Sequence, residues 1–199
     1  MLREQIDRML NDPRSRAFSE NFPDQWLHLN QLGEMPPDPE QNPAYYENNL
    51  EAAMKEETYQ LFRHLLDNNG PIQELVKSDY TFLNEALADH YGIPGVNGDT
   101  FQRVALPAGS RRGGLLGHGR VLTVTSNGVE TQLVVRGVWI MENLLGTPPT
   151  PPPPDVEPIE PDTRGVSTMR ELMEKHRNNP TCFESVSYTH LTLPTTVFV

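Results

Sequence analysis

The sequence predicts a mainly α-helical protein, and three features carry this prediction. Apolar residues recur at helical spacing through most of the first hundred positions. Residues that favour the start of a helix stand ahead of three apolar stretches, at Asp12, Asn42 and Asp79, and a proline follows the first two. Gly70 stands where the second of these helices is expected to end. Little strand is expected beyond one short piece at 101–106.

The first two helices are predicted from apolar spacing. Leu2, Ile6 and Met9 recur at helical intervals, so the chain is expected to begin on an amphipathic helix. Pro23 is expected to kink or restart the helix that follows Pro13. That helix carries an aromatic stripe predicted to lie in the core: Phe18, Phe22 and Trp26.

A long third helix is predicted from Asn42 to about Asn68, after a proline-rich acidic loop. Its apolar face is formed by Tyr46, Leu50, Met54, Leu61, Phe62, Leu65 and Leu66. Another helix is expected to start at Asp79, to carry Phe82 and Leu83 on its apolar face, and to end before Gly92.

Two histidines lie late in these helices. The charged form of His64 or His90 would complement the helix dipole there. Metal binding or acid–base catalysis needs partners at a known spacing, and the sequence places none beside either histidine. Both are therefore predicted to be surface residues.

A domain boundary is predicted near residue 107, after a connector rich in turn-forming residues. Four glycines then surround an apolar run: Gly113, Gly114, Gly117 and Gly119. Their spacing does not match a dinucleotide-binding or P-loop pattern, and close helix packing is the favoured interpretation. Asn127-Gly128 predicts a turn, and a buried helix is expected from about Thr131. Trp139 is predicted to be core, packed against residues 115–122.

The last third of the chain is rich in proline. Residues 147–161 predict a polyproline II spacer, and Ser167 is expected to cap a helix over 168–177. Cys182 is the one cysteine of the chain, which excludes an internal disulfide and leaves the redox compartment open.

Charge and composition exclude several function classes. The net charge is −11, and residues 1–100 hold 18 acidic against 7 basic side chains. Such a surface repels phosphate, so nucleic acid is not an expected partner. The more basic stretch 101–150 is expected to dock within the chain, the alternative being an acidic partner. No apolar run is long enough to predict a membrane-spanning helix, and no signal peptide opens the sequence. Met1 is expected to be an internal methionine of a longer protein.

Three stretches of the second half are similar to a known family: RGGLLGHGRVLTVTS (112–126), VVRGVWIMENLLGTPP (134–149) and LMEKHRNNPTC (172–182). The family comprises large exported proteins of planctomycetes and related bacteria, which combine domains of unknown function with cytochrome c-like domains. Upstream, RAFSENFPDQWLHL, EETYQLFRHLL and SDYTFLNEALADHYGIPGV resemble the helical domain that precedes this module. The resemblance spans residues 8–182.

The resemblance implies a haem site, because the family's last helix continues into a Cys-x-x-Cys-His motif. Cys182 matches the first cysteine of that motif. Ser185 and Val186 stand where the second cysteine and the histidine are expected, so the motif is broken. Haem c is expected in the full-length family and not in this chain. The tail SVSYTHLTLPTT resembles read-through of a sequencing adaptor, and residues 184–199 are predicted to be poorly ordered.

The resulting prediction is a helical domain over 1–107, a small helical cytochrome c-associated module over 108–182, and a non-native tail over 183–199. The chain is expected to be a fragment of an exported multidomain protein, in the periplasm or at the cell surface. Electron transfer with a redox partner protein is the first functional hypothesis. The alternative is a non-catalytic binding or scaffold module for a partner protein or surface polymer. A hydrolase is the weakest option, since no catalytic constellation stands at a known spacing. Oligomeric state is left open.

Overall fold

The computed structural model describes residues 2–110, 112–149 and 171. Within that part the protein is mainly α-helical, as predicted, with one two-stranded sheet. The helices are α1 (Leu2–Leu10), α2 (Ser15–Trp26), α3 (Pro43–Glu47), α4 (Leu50–Asp67), α5 (Gln73–Val76), α6 (Glu85–Tyr91), α7 (Gly119–Val124) and α8 (Leu133–Asn143). The strands are β1 (Tyr80–Leu83) and β2 (Gln102–Ala105), and single 3₁₀ turns lie at Leu29–Gln31 and Leu115–Gly117. The chain divides into two compact units, Met1–Trp139 and Ile140–Val199.

Helix α4 is the centre of the first unit. It packs against α2, α3, α6, α7 and β1, and its apolar face includes the fully buried Leu50 and Leu61. The predicted single helix over 42–68 is wrong, because α3 ends at Glu47 and α4 starts at Leu50. Asn49 between them has a left-handed backbone (φ 50°), which asparagine tolerates better than most residues and which interrupts a helix.

The segment after Asp79 was predicted to be helical and is instead strand β1. All four of its residues, Tyr80–Leu83, are buried, and they pair antiparallel with β2, with Tyr80 opposite Ala105. Aromatic and β-branched side chains favour such a buried strand once a partner is present. The helix start lies further along: the Asn84 side chain accepts a hydrogen bond from Leu87 N (3.0 Å), and α6 ends at Gly92 as predicted.

The aromatic stripe of α2 lies largely at the surface. Phe18 and Phe22 are 48% and 43% exposed, so their prediction as core residues is wrong. Phe22 contacts the Phe62 ring of α4 in a tilted arrangement, at a centroid distance of 5.6 Å. Pro23 lies inside the continuous helix α2 and does not restart it. In this region the fully buried side chains follow the end of the helix, at Leu27 and Leu29.

The glycine pair lets the second half cross the first at very short distance. A Cβ on Gly113 would lie 2.0 Å from Ser78 O, and one on Gly114 would lie 2.5 Å from the Val76 carbonyl carbon. The glycines are closely packed, but not between two helices as predicted: Gly113 lies against the backbone of the loop residue Ser78, and Gly114 lies against Val76 at the end of α5. Beyond them, the Asn127-Gly128 turn forms as predicted, with Gly128 at φ 82°.

The described part of the second unit continues helix α8 to its end. Leu144 N and Leu145 N both donate to Ile140 O, and Gly146 has a left-handed backbone (φ 63°) that stops the helix. The predictions for 168–177, Cys182 and the tail fall outside the described residues, apart from Glu171. None of the helices in the described ranges has the length and apolarity to cross a membrane.

Candidate functional site

A buried carboxylate lies at the middle of helix α4. Glu57 is 1% exposed, and a charge in this position needs hydrogen-bond partners to offset its lost hydration. Thr81 of β1 donates to its Oε1 (2.6 Å), and Tyr91 of α6 donates to its Oε2 (2.7 Å). The carboxylate therefore joins three elements of the first unit.

Tyr91 extends this cluster to the glycine-rich segment. Its hydroxyl accepts a hydrogen bond from Gly119 N (2.7 Å), the first residue of α7, while donating to Glu57. Burial, reinforced by the nearby Glu57, raises the pKa of Tyr91 well above its ordinary value of 10.0. The phenol thus stays protonated and keeps its donor. The Arg112 guanidinium lies 4.0 Å from the centre of the Tyr91 ring, in a cation–π contact.

His118 completes the cluster from the residue before α7. It is fully buried, its Nδ1 lies 3.2 Å from Thr58 Oγ1, and its Nε2 lies 3.8 Å from Glu57 Oε1. The second distance exceeds a hydrogen bond. Burial lowers the pKa of His118 from 6.5, and the Glu57 charge offsets part of that effect. The close approach requires Gly119, because a Cβ there would lie 2.8 Å from the Tyr91 hydroxyl.

A second buried contact attaches α7 to the end of α2. Arg120 is 0% exposed and donates through Nη2 to Leu29 O (3.0 Å). Its Nη1 lies 2.8 Å from Asp24 Oδ1, and Tyr59 donates to the other oxygen of that carboxylate (2.8 Å). A guanidinium in this position is paired on two sides, which offsets the cost of burying it.

Helix α8 is attached in a similar way. Trp139 is 6% exposed, which confirms its prediction as a core residue, and its Nε1 donates to Leu27 O (2.8 Å). Arg136 Nε donates to Thr125 Oγ1 (3.0 Å), and burial lowers the pKa of this arginine. His118, Arg120 and Trp139 thus each place a polar group against the first hundred residues.

The cluster has the chemistry of a clamp, because its hydrogen bonds join α4, β1, α6 and α7. Two cavities, of about 70 and 260 Å³, lie between the loop after α2, α3 and α7. Neither Glu57 nor His118 lines them. His90 does line the larger one, and partial loss of hydration, together with the nearby positive charge of Arg112, lowers the pKa of His90 although much of the residue is exposed.

The histidines that the sequence singled out do not meet in one site. His64 is half-buried and contacts the rings of Tyr80 and Phe82 at 5.3 and 5.4 Å, while His90 is exposed at the end of α6. Over 2–110 and 112–149, no group of three His, Cys, Asp or Glu side chains is arranged to hold a metal ion. Cys182 lies outside the described residues.

Sequence reasoning missed both members of the buried pair. One signal was available for Glu57, which shares the apolar face of α4 with Met54 and Leu61 at helical spacing. A carboxylate in such a stripe indicates a buried partner. His118 stands between two glycines, which indicates a side chain surrounded by close backbone.

The fold and the buried cluster together define a mainly α-helical module. In this module a glycine-rich second segment, residues 112–139, is held against a first segment, residues 2–110. Residues 1–93 match the family described as PSD4, "Protein of unknown function (DUF1592)". Residues 112–188 match the family described as PSCyt3, "Protein of unknown function (DUF1588)". Both belong to the planctomycete cytochrome c-associated families. No curated protein and no solved structure matches the chain.

The chain's own residues do not fit the haem c that these families imply. Covalent attachment needs two thiols and an iron-ligating histidine in a Cys-x-x-Cys-His motif. Cys182 is the single cysteine of the sequence, and Ser185 and Val186 occupy the remaining motif positions. A hydroxyl forms no thioether and valine offers no ligand, so this stretch cannot hold the group in that way.

Proposed function

We propose that the chain is part of an extracytoplasmic, cytochrome c-associated protein that transfers electrons, and that its described residues are the helical body to which the haem-bearing part is attached. Two observations support the proposal. Two family matches of the cytochrome c-associated group follow each other along the chain, at 1–93 and 112–188. The second of them is fastened to the first by buried polar contacts.

The clamp is the single observation that carries this role. Holding reacting groups in a defined orientation lowers the barrier of a reaction, so a firmly packed body favours electron transfer by an attached haem domain. His118 and Arg120 are fully buried and hydrogen-bond or pair with residues of α4, α2 and the Leu29 turn. These contacts hold residues 118–120 against the first hundred residues.

Haem content of the full-length protein tests the proposal. The full-length gene is expressed in a host with a cytochrome c maturation system, and the 199-residue chain is expressed beside it as the control. The proposal predicts covalent haem with a reversible redox change in the full-length protein. It predicts no covalent haem in the short chain, and no effect of Cys182→Ser on the short chain. A full-length protein without haem contradicts electron transfer by this route.

A non-catalytic binding module is the second candidate, and an exposed apolar surface favours it. Helix α1 has no buried residue, with Leu2 78% and Met9 61% exposed, and Phe18 and Phe22 continue apolar exposure on α2. Surfaces of this kind commonly bind another macromolecule. The haem measurement separates the two candidates, because a haem-free full-length protein is the outcome that the binding module predicts.

A further inference from the structure

The contact between Glu57 and His118 brings together two buried ionisable side chains, which the attachment of α7 does not by itself require. Both side chains are buried, at 1% and 0% exposure, and both can change their charge. Glu57 Oε1 and His118 Nε2 lie 3.8 Å apart, about 1 Å longer than a hydrogen bond. No described residue offers His118 Nε2 a hydrogen-bond partner. The pair is thus close enough to interact and is not bonded.

Protonation changes what His118 needs from its surroundings. In the neutral ring one nitrogen carries a hydrogen, and the Thr58 hydroxyl can either donate to Nδ1 or accept from it. Once a proton from solvent gives both nitrogens a hydrogen, Thr58 accepts from Nδ1 and directs its own hydroxyl hydrogen to Met54 O, 3.3 Å away. The ring becomes a donor on both sides and carries a full positive charge with no contact to water.

The groups around His118 offer this charge one carboxylate. Helix α4 contributes Glu57 and Thr58, while α6 contributes Tyr91 and the more distant His90. Arg112 is positive and stacks on Tyr91. The remaining charged neighbour in sequence, Arg120, is directed to Asp24. Glu57 is therefore the one counterion within reach among the described residues.

Glu57 cannot approach the charged ring without loosening its present bonds. Oε1 accepts from Thr81 at 2.6 Å and Oε2 accepts from Tyr91 at 2.7 Å. A shift of about 1 Å toward His118 stretches these bonds, and the Tyr91 hydroxyl is also the acceptor for Gly119 N. If Glu57 stays in place, the imidazolium remains buried without a hydrogen bond on Nε2. Both outcomes weaken the attachment of α7.

We propose that the Glu57–His118 pair is an acid-sensitive latch, in which protonation of His118 releases residues 115–124 from helices α4 and α6. The direction of the pH effect follows from the difference in proton binding between the folded state and the open state. Burial holds the folded-state pKa of His118 below its ordinary value of 6.5, so the unfolded or locally open state binds the proton more readily. Stability from this group is present above about pH 6.5 and is lost as the pH falls below it. This latch is independent of whether the full-length protein carries haem.

Hydrogen exchange of the whole chain tests the latch between pH 7.5 and 5.5. The amides to follow are Gly119, which donates to Tyr91, together with Leu122 and Thr125 in and after α7. After correction for the intrinsic exchange rate, exchange in wild type is expected to rise as the pH falls. The rise is expected to reach at most about tenfold at pH 5.5, because one proton binds to an open state whose ordinary pKa is 6.5.

Two variants show whether His118 is the group responsible. His118→Asn keeps an acceptor near Nδ1 and cannot be protonated, so the pH-dependent rise should disappear. His28→Asn is the matched control, because His28 is exposed with a left-handed backbone (φ 51°) that asparagine tolerates. This control should retain the wild-type rise. Persistence of the rise in a folded His118→Asn protein would overturn the proposal.

A measurement on unmodified protein covers the case in which His118→Asn does not fold. The ring-carbon chemical shift of His118 is followed by NMR over the same pH range. The proposal requires its midpoint to lie below 6.5, and exchange in residues 115–124 to begin rising near pH 6.5 and to level off toward that midpoint. A midpoint at or above 6.5, or exchange that does not change with pH, refutes the latch.

Discussion

Removing the buried charge of Arg120 should strongly destabilise the protein. Arg120→Met keeps most of the aliphatic volume and deletes the guanidinium, which is 0% exposed. Leu29 O then loses its charged donor and keeps only Leu32 N (3.2 Å), and the loss of a hydrogen bond to a charged group costs about 1.5–3 kcal/mol. Asp24 loses its positive partner as well, but its side chain is 20% exposed and regains part of its hydration. We therefore expect the free energy of unfolding to fall by about 2–4 kcal/mol. This is less than the largest losses seen when one partner of a fully buried ion pair is removed.

Urea unfolding followed by far-UV circular dichroism measures this loss. Arg16→Met is the matched control, because Arg16 pairs with Glu20 through a side chain that is 59% exposed, and such pairs contribute about 0–1 kcal/mol. Asp24→Asn and the double variant complete a thermodynamic cycle that isolates the coupling between Arg120 and Asp24. A loss under about 1 kcal/mol in Arg120→Met, similar to the control, would refute the claim that this side chain holds α7 in place.

Two further predictions concern backbone approach and the buried carboxylate. Gly114→Ala should cost at least about 2 kcal/mol, because its φ of 75° is strained for alanine and the new Cβ would lie 2.5 Å from Val76. Gly98→Ala has a similar φ of 80° with open space around it, so a smaller loss there in thermal melts isolates the steric part. Glu57→Gln should lower the free energy of unfolding by about 1–3 kcal/mol, because one of the donors from Thr81 and Tyr91 then faces an amide NH₂. Equal stability of Glu57→Gln and wild type in urea would show that the carboxylate is not needed.

Local signals in the sequence predicted the features that depend on local geometry. The start of α1, the end of α6 at Gly92, the strand at 102–105 and the turn at Gly128 all follow from spacing or from residues with special backbone preferences. Trp139 was identified as core by its apolar surroundings. The helix ends and the turn form with few distant contacts, so local sequence predicts them directly. β2 and Trp139 have distant partners, β1 and Leu27, but their own residue patterns were sufficient to predict them.

Features that depend on distant partners were missed. Tyr80–Leu83 form a strand because β2 lies beside them, about twenty residues later in the chain. Phe18 and Phe22 are exposed because α4 covers only one side of α2. The Glu57–His118 pair joins residues 61 positions apart, and helical spacing contains no information on such a contact. The domain boundary predicted near residue 107 stays a prediction. The first compact unit of the structure runs to Trp139.

We expect residues 2–110 and 112–139, the first and second segments, to unfold as one cooperative body, and the two tryptophans allow a direct measurement. The sequence contains two: Trp26 lies in the first segment and Trp139 in the second. Single-tryptophan variants, Trp26→Phe and Trp139→Phe, are unfolded in urea while fluorescence and far-UV circular dichroism are recorded together. We predict that both signals change with the same midpoint and slope within each variant. A Trp139 transition at clearly lower urea than the loss of helix would contradict the claim, because the second segment would then detach on its own.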